Sequence, residues 1–124
     1  MPSSRANRYG SLAERKVAER YRLVRDGVHT SWCDAVDSDG TPVEIKSCDA
    51  GRDAPRFRIF EKYHDRLQSE GGHYVFVLYK KRGRGITVLR MTRMHASRLP
   101  AETCYGAGGH RESRQTKLRP KTVF

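Results

Sequence analysis

From Tyr74 to Tyr79 the chain reads YVFVLY, with no polar residue to mark a solvent-facing side. The run is far short of the ~20 apolar residues a membrane span needs. Its β-branched and aromatic content predicts a strand, and its continuity predicts burial on both faces. The rest of the chain supplies elements that can cover it. Ser11 with Glu14 three residues later forms a capping-box pattern, and Ala13, Val17, Tyr21 and Val24 recur at helical spacing as far as Gly27. VHTSWCDAV and TPVEIKS are β-prone segments on either side of the turn-forming DSDG, which predicts a hairpin. Phe57, Ile59 and Phe60 suggest a short strand. EKYHDRLQSE reads as a helix ended by Gly71-Gly72, and ITVLRMT follows the basic turn KKRGRG as a further strand. The fold class expected is α/β, a mixed central sheet flanked by helices. Residues 1–10 read as a mobile basic arm, 11–105 as one α/β domain, and 106–124 as a flexible basic tail.

Charge narrows the function. The net charge is +11 over 124 residues, a field that attracts polyanions. It is unevenly spread: residues 1–30 balance to +4, residues 31–60 to −2 and residues 61–124 to +9. An acidic centre between basic flanks repels phosphate, so it does nothing for a plain nucleic-acid binder. It suits an enzyme that holds divalent cations against a polyanion, although acids placed in turns would give the same tally. The three cysteines, Cys33, Cys48 and Cys104, have no CxxC spacing and cannot all pair within one chain. Neither a disulfide framework nor a zinc site is indicated, and a reducing, cytoplasmic setting is expected. MPSSRANRYGS has no apolar core of the kind a secretory signal carries.

Two Glu-x-Lys triplets occur, Glu14-Arg15-Lys16 and Glu44-Ile45-Lys46. About 0.4 are expected by chance in a chain this long, so the triplet alone decides nothing. Geometry separates the two. Residues i and i+2 share a face on a strand but not on a helix. Glu44 and Lys46 therefore share a site, with Val43 and Ile45 turned into a core. A hairpin centred on DSDG folds Asp34 back towards Glu44. Two carboxylates beside an ammonium make a site for a hard cation such as Mg²⁺, which takes one or two carboxylates plus water and phosphate oxygens. Glu14 lies about 20° from Tyr21 and about 60° from Val17 on a helical wheel, on the flank of the buried stripe. It is either part of this site or only the second half of a capping box.

Glu14 in the first helix, Asp34 in CDAV, and Glu44 with Lys46 in VEIKS resemble the PD-(D/E)XK nuclease superfamily, which includes restriction endonucleases and archaeal-type Holliday junction resolvases. The order of elements resembles that family's αβββαβ core over roughly residues 10–92. Cys33 stands where the family name has Pro, and Asp37 is a rival to Asp34 that reads better as the first residue of the turn. The resemblance implies a metal-dependent endodeoxyribonuclease. Asp34, Glu44 and Glu14 would be metal ligands for Mg²⁺, or Mn²⁺ in its place. Lys46 would orient or deprotonate water or stabilise charge. It also implies DNA as partner, no membrane, and a homodimer if the chain acts as the resolvases do.

Lys80, Lys81, Arg82 and Arg84 in the basic turn, and Arg111, Arg114, Lys117, Arg119 and Lys121 in the tail, are the expected phosphate contacts. His64 and Gln68 share a face of the second helix as polar helpers or as ordinary surface. The small size favours a structure-specific nuclease. The alternatives are a sequence-specific restriction-type nuclease, a DNA-binding protein that keeps the fold without catalysis, and a basic RNA-binding protein in which the triplet is accidental.

Overall fold

The structure is a computed structural model that describes residues 4–99, 105–107 and 110–124. Helix α1 spans Ser4–Tyr21. It begins seven residues before the expected cap, so Ser11 and Glu14 lie inside the helix and the capping box does not form. The early turns have tertiary support that a local reading does not reveal: the Tyr9 hydroxyl donates to the Gly83 carbonyl at 2.7 Å. Packing of this kind outweighs the ~1 kcal/mol that Gly10 costs in a helix. The helix also ends early. Arg22 takes a left-handed conformation, φ 55°, and Val24 leaves the helix to bridge Val36.

Strands β1 (Ala35–Val36), β2 (Pro42–Asp49), β4 (His73–Arg82) and β5 (Gly85–His95) form one sheet in the order β1-β2-β4-β5. β1 and β2 are antiparallel, as the hairpin predicts; β2 and β4 are parallel, and β4 and β5 antiparallel. The sheet is thus mixed. Between β2 and β4 the chain forms β3 (Phe57–Phe60) and α2 (Glu61–Ser69). The run α1-β1-β2-β3-α2-β4 matches the expected αβββαβ order. Strand β4 is buried on both faces because separate apolar clusters lie on the two sides of the sheet. Val43, Ile45, Val75 and Val77 pack with Ala13 and Val17 of α1. On the other side Cys48, Tyr74 and Phe76 pack with Phe57, Ile59 and Leu67.

α2 stops at a Schellman turn. The Gly71 amide donates to Gln68 and the Gly72 amide to Leu67, with Gly71 left-handed at φ 69°. This is the stop that Gly71-Gly72 predicted. Gly72 has a second constraint: a Cβ there would lie 2.3 Å from Leu67 Cδ1.

The C-terminal expectation needs correction. Residues 106–124 are not simply a flexible tail. β7 (His110–Leu118) pairs with β3 and with β6 (Tyr105–Ala107), giving a second sheet in the order β3-β7-β6, and α3 (Pro120–Val123) follows. Phe57 stands opposite Leu118 and Ile59 opposite Thr116. Leu118, Val123 and Phe124 join the apolar cluster around Phe57. The part after residue 109 lacks helical periodicity because it is a strand with a short helix after it, and Leu118 and Val123 point inward. Cys33 and Cys48 are buried free thiols, and Cys104 lies outside the described residues. Among the described residues no helix is long and apolar enough to cross a membrane.

Candidate active site

The DSDG turn is organised by Asp37. Its Oδ1 accepts from the amides of Asp39 and Thr41, and its Oδ2 accepts from Arg93 Nη2 at 2.7 Å. The Arg93 hydrogen bond, reinforced by the turn amides, holds its carboxyl below the usual range. Asp37 is fully engaged as a structural residue, which removes it as a rival to Asp34.

Asp34 extends the hairpin ladder by one step, its amide donating to the Val43 carbonyl at 2.9 Å. Its side chain then reaches across to β2, where Oδ2 accepts the Ile45 amide at 2.8 Å. That hydrogen bond fixes the carboxylate beside Glu44. The alternation of β2 does the rest. Val43 and Ile45 enter the cluster under α1, and Glu44 and Lys46 project from the opposite face. That face is not open. The second sheet and α2 cover it, and Glu44 is only 7% exposed. Lys46 Nζ lies 3.5 Å from Glu44 Oε2.

Burial pushes the Glu44 carboxyl up to about 9, helped by a hydrogen bond shared with the Asp34 carboxyl and opposed by the Lys46 ammonium. Burial and the neighbouring Asp34 carboxyl thus favour the protonated form of Glu44. Glu14 feels the same site from α1: burial and then the charge of Asp34 raise its carboxyl, while Arg25 opposes them. Asp34, Glu44 and Lys46 therefore converge as the hairpin reading required, with Glu14 beside them.

The donor set suits a hard divalent cation. Asp34 and Glu44 offer carboxyl oxygens alone. Among the described residues no group of three or more His, Cys, Asp or Glu side chains is placed to hold a metal ion, so Glu14 does not join Asp34 and Glu44 as the third ligand expected from the sequence. A cation here would complete its shell with water and substrate oxygens, as Mg²⁺ does.

Behind the site, Tyr74 is the register partner of Glu44. Its hydroxyl lies 2.8 Å from His64 Nδ1, and the two rings stack at 5.8 Å. His64 thus supports the wall of the site, and burial lowers its pKa. Gln68 is exposed.

The expected phosphate contacts scatter. Lys80, Lys81, Arg82 and Arg84 are exposed around the β4–β5 turn. Lys80 is six residues along β4 from the Glu44 level, about 20 Å away. Lys81 is ion-paired with Asp49 at 3.5 Å and lies over the Tyr9 ring. Arg119 and Lys121 line an adjoining cleft with Asp53 and Arg56. The side chains of Arg111 and Arg114 lie outside the described part of the structure. Lys117 is near the site: with Lys46, Ser47, Arg52, Arg56 and Arg58 it lines a cleft of about 470 Å³.

The three arginines of that cleft escaped the sequence reading because they lie in the third of the chain whose net charge is acidic. The alternation in Arg56-Phe57-Arg58-Ile59, basic outward and apolar inward, was the available signal.

A family model described as the PD-(D/E)XK nuclease superfamily domain matches residues 1–124. No curated protein matches the chain.

Proposed function

Since the chain belongs to the PD-(D/E)XK nuclease superfamily, we propose that it is a divalent-metal-dependent DNA endonuclease of the structure-specific, junction-resolving kind. The observation that carries this reading is the Asp34–Glu44 carboxyl pair. Glu44 is buried, the half-buried Asp34 is hydrogen-bonded to it, and Lys46 beside Glu44 lines a basic cleft. A buried carboxyl beside a second carboxyl is costly, and a fold that needed only stability would replace it with an apolar residue.

Asp34 and Glu44 would hold Mg²⁺ or Mn²⁺, with Glu14 facing the waters around it. The ion, when bound, supplies an acidified water and neutralises charge on the scissile phosphate. Asp34 is held in place by the Ile45 amide, so its carboxylate presents a fixed oxygen. Glu44 would hold the cation through its deprotonated carboxylate. Lys46 lines the cleft with its ammonium beside Glu44. That position suits it to orient a water and to stabilise the charge that develops on the phosphate. The cations around the site are exposed or half-exposed Arg and Lys side chains, which suit contacts to backbone rather than to base edges. Such contacts carry position without sequence, which favours a substrate recognised by shape.

The test is cleavage of four-way, linear duplex and single-stranded DNA in Mg²⁺ or in EDTA. We expect cutting only with metal and best on branched DNA. Asp34→Asn and Glu44→Gln should each lower the rate by at least ~10³-fold while DNA binding holds or tightens, since electrostatic terms of ~4 kcal/mol are usual at such sites. Cleavage at the wild-type rate by either variant would refute the site, and cutting of linear DNA alone would refute the junction preference.

A further inference from the structure

The cleft that opens on Lys46 has lining cations with no carboxylate among its lining residues: Arg52, Arg56, Arg58 and Lys117 besides Lys46 itself. Among the described residues none of those four forms an ion pair, whereas Lys81 of the β4–β5 turn is already committed to Asp49. Arg58 and Lys117 are also direct cross-strand partners on β3 and β7, both exposed. Like charges placed opposite each other destabilise a sheet. Nothing in the packing requires them there, since Phe57, Ile59 and Leu118 fill the core from the other face. An anion lying across the pair removes the repulsion.

We propose that this cleft is the groove for the phosphate backbone of duplex DNA, with Arg58 and Lys117 clamping one phosphate and Arg52 and Arg56 extending the track. The inference deepens the nuclease reading and rests on it for the identity of the polyanion. Duplex is favoured over single strand by the lining. Its one aromatic residue, Phe60, is half-buried and packed edge-on against Tyr63 at 5.9 Å, so no free ring is offered to an unpaired base. The β4–β5 turn, about 20 Å from the Glu44 level, becomes a peripheral contact.

The experiment is fluorescence anisotropy with a labelled duplex in EDTA over a salt series. It compares the full chain with Arg58→Gln plus Lys117→Gln and with Lys80→Gln plus Arg82→Gln plus Arg84→Gln. Each phosphate contact contributes about 0.9 to the slope of log affinity against log salt. The cleft variant should lose about 1.8 of slope, which is about 60-fold in affinity at 0.1 M salt. It should melt no lower than wild type, since a repulsion has been removed. The turn variant, with more charges deleted, should lose less. Should the double variant fail to fold, Arg56→Gln, on a half-exposed loop residue, should lose about 0.9 of slope.

An unchanged slope in the cleft variants, or a larger loss in the turn variant, overturns the groove. So does selective displacement of DNA by inorganic phosphate at matched ionic strength, which would mark a single-anion site, or a loss confined to single-stranded DNA. Mg²⁺-dependent cleavage by the wild-type chain on the same duplex and on a four-way junction separates the two readings. Cleavage with no slope change removes the groove and keeps the nuclease. A slope change with no cleavage of any DNA removes the nuclease and keeps the groove.

Discussion

Ending the chain at Gly109 removes β7 and α3, a stretch whose sequence is basic and lacks helical periodicity. Leu118 is 2% exposed and Val123 8%. Each is worth roughly 1.5–3 kcal/mol when fully buried. Phe124 adds an edge contact to Phe57 at 6.1 Å between ring centroids. The truncation also strips β3 of its four register partners and exposes Phe57 and Ile59, each now 1% exposed. Together these losses come to about 6–8 kcal/mol, against a total stability of ~5–15 kcal/mol for a domain. The truncated chain should therefore show no cooperative urea transition by circular dichroism, or one with its midpoint greatly reduced. Leu118→Ala in the full chain should cost ~3 kcal/mol with an unchanged denaturant slope. A truncated chain that unfolds at the wild-type midpoint would mean that the second sheet contributes nothing to the core, and would restore the reading of residues 106–124 as a tail.

Two further perturbations test the site and the helix stop. In EDTA, Glu44→Gln should be more stable than wild type at pH 7 by roughly 1–3 kcal/mol. The folded carboxyl keeps its proton up to about pH 9, and the unfolded one only up to the ordinary carboxylate range near 4.5. Wild-type stability is therefore full below that range and falls as pH rises towards 9, so the gap between the two proteins should open over the same window in thermal melts. A gap independent of pH would refute the raised Glu44 carboxyl. Gly72→Ala should cost ~2 kcal/mol, because the new Cβ would stand 2.3 Å from Leu67 Cδ1 and 2.7 Å from Leu67 Cγ, and Leu67 is wholly buried. A melting temperature equal to wild type would show that α2 can shift without loss.

Most of the site could be read from the chain because it is built from short-range geometry. A turn chemistry that only Asp37-Ser38-Asp39-Gly40 satisfies sets the hairpin, and the hairpin sets the register of Ala35 opposite Val43. Strand alternation then puts Glu44 and Lys46 together on the face away from Val43 and Ile45. The two-sided burial of β4 and the α2 stop at Gly71-Gly72 are equally local, the first written in an unbroken apolar run and the second in the need for φ above zero. What the chain could not reveal depends on partners distant in sequence. α1 reaches back to Ser4 alongside a Tyr9–Gly83 contact between its N-terminal half and the β4–β5 turn. β7 is a strand because Phe57 and Ile59 need Leu118 and Thr116 opposite them, and no pattern within residues 110–118 records that need. The cleft beside Lys46 exists only because that pairing carries Lys117 to Arg58. Charge counted along the chain placed the binding surface in the KKRGRG turn and the basic C-terminal segment. The tertiary structure concentrates unpaired cations in the cleft beside the carboxylates, because electrostatic attraction acts through space and is blind to the order of residues.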